Sequence, residues 1–194
     1  YMAWIEFSYS VGLISNAPIR GNSLIFMTHA LAGGVALLVG PLQFVSELRI
    51  KRPALHRLFG KAYMYGVWIS GATALILVAV FNVSLSARLV FTALGILWIG
   101  TTISGLLEVK HSNFSLHQEW MLRSFSLSLF FVTFSFWVPG LQRSSLSPEI
   151  AYPLSVFLSW SLNLVAAEWW IRHCRQRASR PLRTIRMSTQ GETA

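Results

Sequence analysis

Long apolar runs alternate with short polar connections along the chain. The runs cover residues 23–45, 58–81, 89–107, 121–138 and 152–171. A helix rises about 1.5 Å per residue and the hydrocarbon core of a bilayer is about 30 Å thick, so runs of about 20 residues are long enough to cross it. The pattern predicts an all-α fold, a polytopic transmembrane helical bundle of about five spans.

The segments outside these runs define the predicted domain organisation. Residues 1–22 are mixed in polarity and are predicted to be an interfacial segment or the end of a lost helix, which would make six spans. The transmembrane bundle is predicted over 23–172, with 173–194 as a basic, disordered cytoplasmic tail. Pro139 and Gly140 are predicted to end the fourth span.

Small side chains recur at every fourth position of the first two spans. This spacing puts them on one helix face, where a neighbouring helix can approach closely. They are Ala32, Ala36 and Gly40 on the first span and Gly66, Ser70 and Ala74 on the second.

Composition and charge agree with a membrane protein. Of the 194 residues, 54% are hydrophobic and 12% charged, which is too apolar for one water-soluble core. The net charge of +9 arises from basic residues at the ends of the apolar runs, which favours anionic lipid headgroups over nucleic acid as partners. Arg20, Arg88 and Arg143 lie on one side and the other thirteen Lys and Arg on the opposite side. This asymmetry predicts that the carboxyl terminus is cytoplasmic.

His29 is the first candidate for chemistry, because ionisable groups inside a bilayer are rare and often functional. It shares a helix face with Gly33, so its imidazole could meet a flat cofactor lying beside small residues. The alternative is a histidine that forms a hydrogen bond across a helix pair.

His56 and His117 form a more specific candidate pair. Each precedes a span that runs outward, with an aromatic residue three positions later and a basic residue five or six positions later. Neighbouring second and fourth spans would bring both imidazoles to one depth, as in bundles that ligate a haem iron from two faces. Arg57, Gly60 and Trp120 are predicted to shape such a cofactor site. The alternative is that both histidines contact lipid headgroups.

Glu168 and Arg172 lie four residues apart near the inner end of the fifth span, in the order that favours a helical ion pair. The alternatives for Glu168 are proton transfer or substrate binding.

Several catalytic signatures are absent from the sequence. It contains no Walker loop, GxSxG, HExxH or CxxC motif and no aspartate. Two classes of function therefore remain: a b-type haem or quinone-linked electron-transfer protein, and a non-enzymatic membrane protein that packs with or assists a partner. A small-solute transporter ranks third, because the spans contain few polar residues beyond serine and threonine.

Four segments carry a family resemblance: HALAGGVALLVGPLQF at 29–44, RPALHRLFGKAYM at 52–64, HQEWMLRS at 117–124 and AEWW at 167–170. With them the chain resembles the bacterial predicted membrane proteins known as domain of unknown function 2306. The resemblance implies a multi-pass protein of the bacterial inner (plasma) membrane and assigns no activity. The LHRLFG segment is more loosely similar to the histidine motifs of transmembrane di-haem cytochromes b.

Overall fold

A computed structural model describes residues 23–81 and 83–191, with side-chain surroundings as far as residue 177. The predicted interfacial segment, residues 1–22, lies outside the described residues. The helices are α1 (Ser23–Val39), α2 (Ser46–Lys51), α3 (Pro53–Val80), α4 (Leu85–Lys110), α5 (Phe114–Ser128), α6 (Phe130–Gln142) and α7 (Pro148–Gly191). A 3-10 turn, Pro41–Phe44, connects α1 to α2.

The described part of the chain contains five helical segments long and apolar enough to cross a membrane: 23–44, 53–80, 85–110, 114–142 and 148–177. They confirm the predicted five-span bundle. All but the first extend several residues beyond the apolar run, because a helix satisfies its own backbone hydrogen bonds and has no reason to stop where the hydrocarbon ends. Apolar runs therefore locate the spans and underestimate their length.

The fourth span continues past its predicted end and is interrupted earlier in the chain. The helix runs through Pro139 to Gln142, and the break falls at Leu129, between α5 and α6. Just after the break, the carbonyl of Leu129 accepts from the backbone N–H of Val132 at 3.0 Å and of Thr133 at 3.1 Å. A proline removes only one backbone donor, which a membrane helix tolerates. The predicted stop at Pro139 was therefore wrong.

The predicted disordered tail is also different in the structure. Helix α7 continues without a break to Gly191. Five arginines and two glutamines among residues 173–191 favour a helix, which continues through Pro181. Helix α7 therefore extends past the boundary predicted at residue 173.

The most extensive helix contact in the bundle joins α1 to α3, followed by those of α4 with α5 and α6 with α7. The α1–α3 contact uses the small residues that the sequence singled out. A Cβ added at Gly66 would lie 2.8 Å from the carbonyl oxygen of Ala32, and one added at Gly33 would lie 2.9 Å from the hydroxyl of Ser70. Ala36 and Val67 are completely buried nearby. The sequence predicted that a neighbouring helix could approach these small residues closely, and the structure shows that α1 and α3 approach each other there.

Candidate ligand site at the basic ends of the helices

His56 and His117 occupy equivalent places in the bundle, each as the fourth residue of its helix, α3 or α5. Seven residues further along each helix, Tyr63 Oη and Ser124 Oγ form a hydrogen bond of 2.7 Å. Seven residues are close to two turns and span about 10 Å, so each histidine lies on the same stripe as the residue that forms this bond. The two imidazoles are near enough for their charges to interact. The structure thus places both predicted histidines at the same end of the bundle.

The tautomer of His117 follows from its hydrogen bond. Its Nδ1 lies 2.6 Å from the carbonyl oxygen of Gly105. A carbonyl can only accept, so Nδ1 carries the proton and donates it. The other ring nitrogen, Nε2, therefore has a free lone pair and is an acceptor.

The tautomer of His56 is the opposite one, and Gln43 in the 3-10 turn determines it. With its nitrogen toward His56, the Gln43 amide donates to the His56 carbonyl oxygen and to Nδ1, both at 3.2 Å, and its oxygen accepts from the Gly60 N–H at 3.2 Å. In the reverse orientation, the amide oxygen would face the His56 carbonyl oxygen and Nδ1, and the amide nitrogen would face the Gly60 N–H. Because Nδ1 of His56 accepts, its proton is on Nε2, which is a donor.

The pair therefore presents one donor and one acceptor, which does not match axial ligation of a haem iron. Two axial imidazoles must each offer a lone pair to the metal. Two of the residues predicted to shape a cofactor site, Gly60 and Trp120, lie against other parts of the protein. The Gln43 amide lies 3.2 Å from where a Cβ on residue 60 would be, and Trp120 packs against Gly105. Within the described residues, no group of three or more His, Cys, Asp or Glu is placed to hold a metal ion.

Basic side chains lie near His56 and Trp120. Arg49 and Arg57 are close enough to His56 to act on it electrostatically. The guanidinium of Arg123 lies 4.6 Å above the ring of Trp120, in a cation–π contact. Arg57 is itself exposed, so its influence on the site is electrostatic.

His29 and Gly33 lie at the α1–α3 contact, away from the histidine pair. Nδ1 of His29 donates to the Ser70 carbonyl oxygen at 2.9 Å, and the Ser70 hydroxyl donates back to the His29 carbonyl oxygen at 3.0 Å. The Ser70 hydroxyl also fills the space beside Gly33. This is the alternative that the sequence left open, a histidine bonded across a helix pair.

A layer of hydroxyl groups lies at the centre of the bundle, about two helical turns from the histidine pair. Tyr63 is 1% exposed, and its hydroxyl contacts Ser124 at 2.7 Å and Ser128 at 3.0 Å. Thr102 bonds Ser124 at 2.7 Å, and the Trp98 indole N–H donates to Ser128 at 2.9 Å. This network joins α3, α4 and α5 and holds the two histidine stripes in register.

Glu168 does not form the predicted close pair with Arg172. Its carboxylate instead accepts two hydrogen bonds from Arg123 of α5, including one from Nη2 at 3.3 Å. Arg172 attracts Glu168 only from a greater distance. The carboxylate of Glu119 pairs with Arg175 and lies 3.8 Å from Arg123. These four charged residues tie α5 to α7 at the basic side.

Sequence reasoning missed Gln43, Gly105, Tyr63 and Arg123. Gln43 carried a signal, because it is the one polar side chain in the apolar GPLQF segment. Tyr63 carried another, because it follows His56 by seven residues on the same helix face. Gly105 acts through its carbonyl oxygen, which no side-chain pattern reveals. Arg123 and Glu168 are 45 positions apart, so their pairing had no local signal.

Comparison with known proteins identifies a family. A family model described as "Predicted membrane protein (DUF2306)" matches residues 26–171. No match was found among curated proteins or among solved structures. The looser similarity to di-haem cytochromes b receives no support from these comparisons.

Proposed function

The chain belongs to the DUF2306 family of predicted membrane proteins, and we propose that it binds the headgroup of a membrane quinone between His56 and His117. The family description names no activity, so the proposal rests on the site. The observation that supports it most is the difference between the partners of the two Nδ1 atoms, a carbonyl oxygen at His117 and the Gln43 amide at His56.

A donor and an acceptor together suit the two redox forms of a quinone. A quinone carbonyl only accepts, and the Nε2–H of His56 can donate to it. A hydroquinone hydroxyl also donates, and the Nε2 lone pair of His117 can accept that hydrogen bond. The quinone form would therefore bond to His56, and the hydroquinone form could bond to both imidazoles.

The depth of the pair also suits a quinone. Both histidines lie in the first turn of a membrane-spanning helix, beside the charged residues of the basic end. A polar ring bound there leaves its isoprenoid tail in the hydrocarbon, next to the apolar side chains of the bundle. Haem is the second candidate, and it requires the Gln43 amide to release Nδ1 of His56.

Binding of a short-chain ubiquinone analogue to the purified protein in detergent tests the proposal. We expect saturable quenching of tryptophan fluorescence by both redox forms of the analogue. Binding of the oxidised form should be about tenfold weaker in His56→Leu, and binding of the reduced form about tenfold weaker in His117→Leu, since one hydrogen bond worth about 1.4 kcal/mol corresponds to that factor. His111→Leu is the matched control, because His111 lies at the end of α4 and is exposed.

Three results would overturn the proposal. Wild-type protein that folds and fails to bind the analogue would favour the packing or partner-assisting role. Equal binding by all variants would place the quinone elsewhere. A Soret band after haem addition that disappears in both His56→Leu and His117→Leu would favour haem ligation.

We further propose that the protein lies in the bacterial inner membrane with its carboxyl terminus in the cytoplasm, because of the asymmetry of Lys and Arg between the two sides. A reporter fused after Arg186 is expected to be cytoplasmic, and one inserted at Ser145 periplasmic. Opposite locations at both sites would reverse the orientation.

A further inference from the structure

We infer that Gln43 is the residue that determines which class of ligand the histidine pair accepts: it keeps His56 a donor, suited to a neutral carbonyl, and so prevents the pair from ligating a metal ion. The identity of the natural ligand rests on the proposed function. The effect of Gln43 on the tautomer of His56 does not, because it follows from the hydrogen bonds of the ligand-free protein.

Gln43 is held firmly in the position that this role requires. Pro41 begins the 3-10 turn, and the Gln43 N–H donates to the Gly40 carbonyl oxygen at 3.0 Å. The neighbouring Phe44 ring packs against Phe125 of α5, with ring centres 5.5 Å apart. The turn is thus anchored on both sides of Gln43, and its amide has a fixed direction toward α3.

The absence of a side chain at residue 60 lets the amide reach His56. A Cβ at Gly60 would lie 3.2 Å from the end of the Gln43 side chain, which is tighter than most such contacts. The Gly60 backbone N–H also supplies the donor that fixes the orientation of the amide. Gly60, predicted as part of a cofactor site, therefore acts on the orientation of His56 through Gln43.

The two histidines differ in the atom that lies against Nδ1, which is an oxygen at His117 and a nitrogen at His56. Histidines that ligate metals usually donate their second ring N–H to a carbonyl or a carboxylate. The Gly105 carbonyl oxygen gives His117 that arrangement. An amide N–H that points at Nδ1 gives His56 the reverse arrangement. A carboxylate at residue 43 could accept a hydrogen bond from Nδ1–H, which would leave the Nε2 lone pair free.

Gln43→Glu is therefore expected to convert the pair from one donor and one acceptor into two acceptors. Both imidazoles would then present a lone pair, and Arg49 and Arg57 near His56 would stabilise the new carboxylate. We expect Co²⁺ to bind about 10–100-fold more tightly than to wild type, the range that such outer partners usually contribute. Binding of the quinone analogue should weaken by about tenfold, as for the loss of one hydrogen bond.

Two measurements test the inference on the full-length protein in detergent. Nitrogen NMR of ¹⁵N-histidine-labelled, ligand-free protein should show His56 protonated at Nε2 in wild type and at Nδ1 in Gln43→Glu. Visible absorption during Co²⁺ titration should show the gain in affinity, and the double variant Gln43→Glu, His117→Gln should lose it. Gln118→Glu, an exposed change beside His117, is the matched control.

The outcomes separate this inference from the proposed function. If His56 keeps its proton on Nε2 in Gln43→Glu, or if Co²⁺ affinity does not rise, the role of Gln43 is wrong whatever the wild-type protein binds. If the tautomers are as described and the wild-type protein binds no quinone analogue, the proposed function fails and the role of Gln43 stands.

Discussion

Replacing Gly66 by leucine is expected to lower the stability of the bundle by about 1–3 kcal/mol, the usual cost of overpacking a close contact. The atoms that a Cβ would meet belong mainly to the backbone of α1: the Ala32 carbonyl oxygen at 2.8 Å and the Ala36 nitrogen at 3.2 Å. A backbone cannot rotate away as a side chain can, so α1 and α3 must separate. Because α1 packs chiefly on α3, this separation removes most of its contacts.

Thermal unfolding in one detergent, followed by circular dichroism, measures this effect. Gly34→Leu on α1 is the matched control, because a Cβ there meets nothing within 4 Å. Gly33→Leu should be intermediate, since its added atoms meet only the side chain of Ser70. Gly40→Leu should be as costly as Gly66→Leu, since a Cβ there meets the Phe125 ring at 2.5 Å and the backbone carbonyl oxygen of Ala36 at 2.9 Å. Equal melting of Gly66→Leu and Gly34→Leu would contradict the close α1–α3 contact.

Replacing Arg123 by methionine is expected to destabilise the protein by about 1–3 kcal/mol, the cost of leaving partly buried polar groups without a partner. Arg123 is 15% exposed and contacts two carboxylates, those of Glu119 and Glu168. Methionine retains much of the apolar stem and removes the charge. Glu119 keeps Arg175, whereas Glu168 loses the side chain that donates both of its hydrogen bonds.

Arg172→Met is the comparison that separates the two possible pairings of Glu168. Arg172 is exposed and attracts Glu168 only over a longer distance, so we expect a change within about 0.5 kcal/mol. Chemical or thermal unfolding of both variants in the same detergent gives the difference. A larger loss for Arg172→Met than for Arg123→Met would restore the i, i+4 pair that the sequence predicts.

The candidate site could be predicted in part. His56 and His117 were recognisable because each opens a span and because they share a local pattern. Their shared depth followed from the helical rise. Their chemistry could not be predicted, since the ring nitrogen that carries the proton depends on Gln43 and on the Gly105 carbonyl oxygen. Both partners belong to other elements, and their direction toward the imidazoles is a property of the packed bundle.

The sequence by itself determined the fold class, the five spans and the small-residue face of α1 and α3. These features depend on hydrophobicity and helical periodicity, which are local properties of the chain. Tertiary structure decided the break at Leu129, the continuation through Pro139, the Arg123–Glu168 pair and the opposite tautomers of His56 and His117. Each of these depends on which groups meet across helices, and in a bilayer that choice is made by close packing and by hydrogen bonds between residues far apart in sequence.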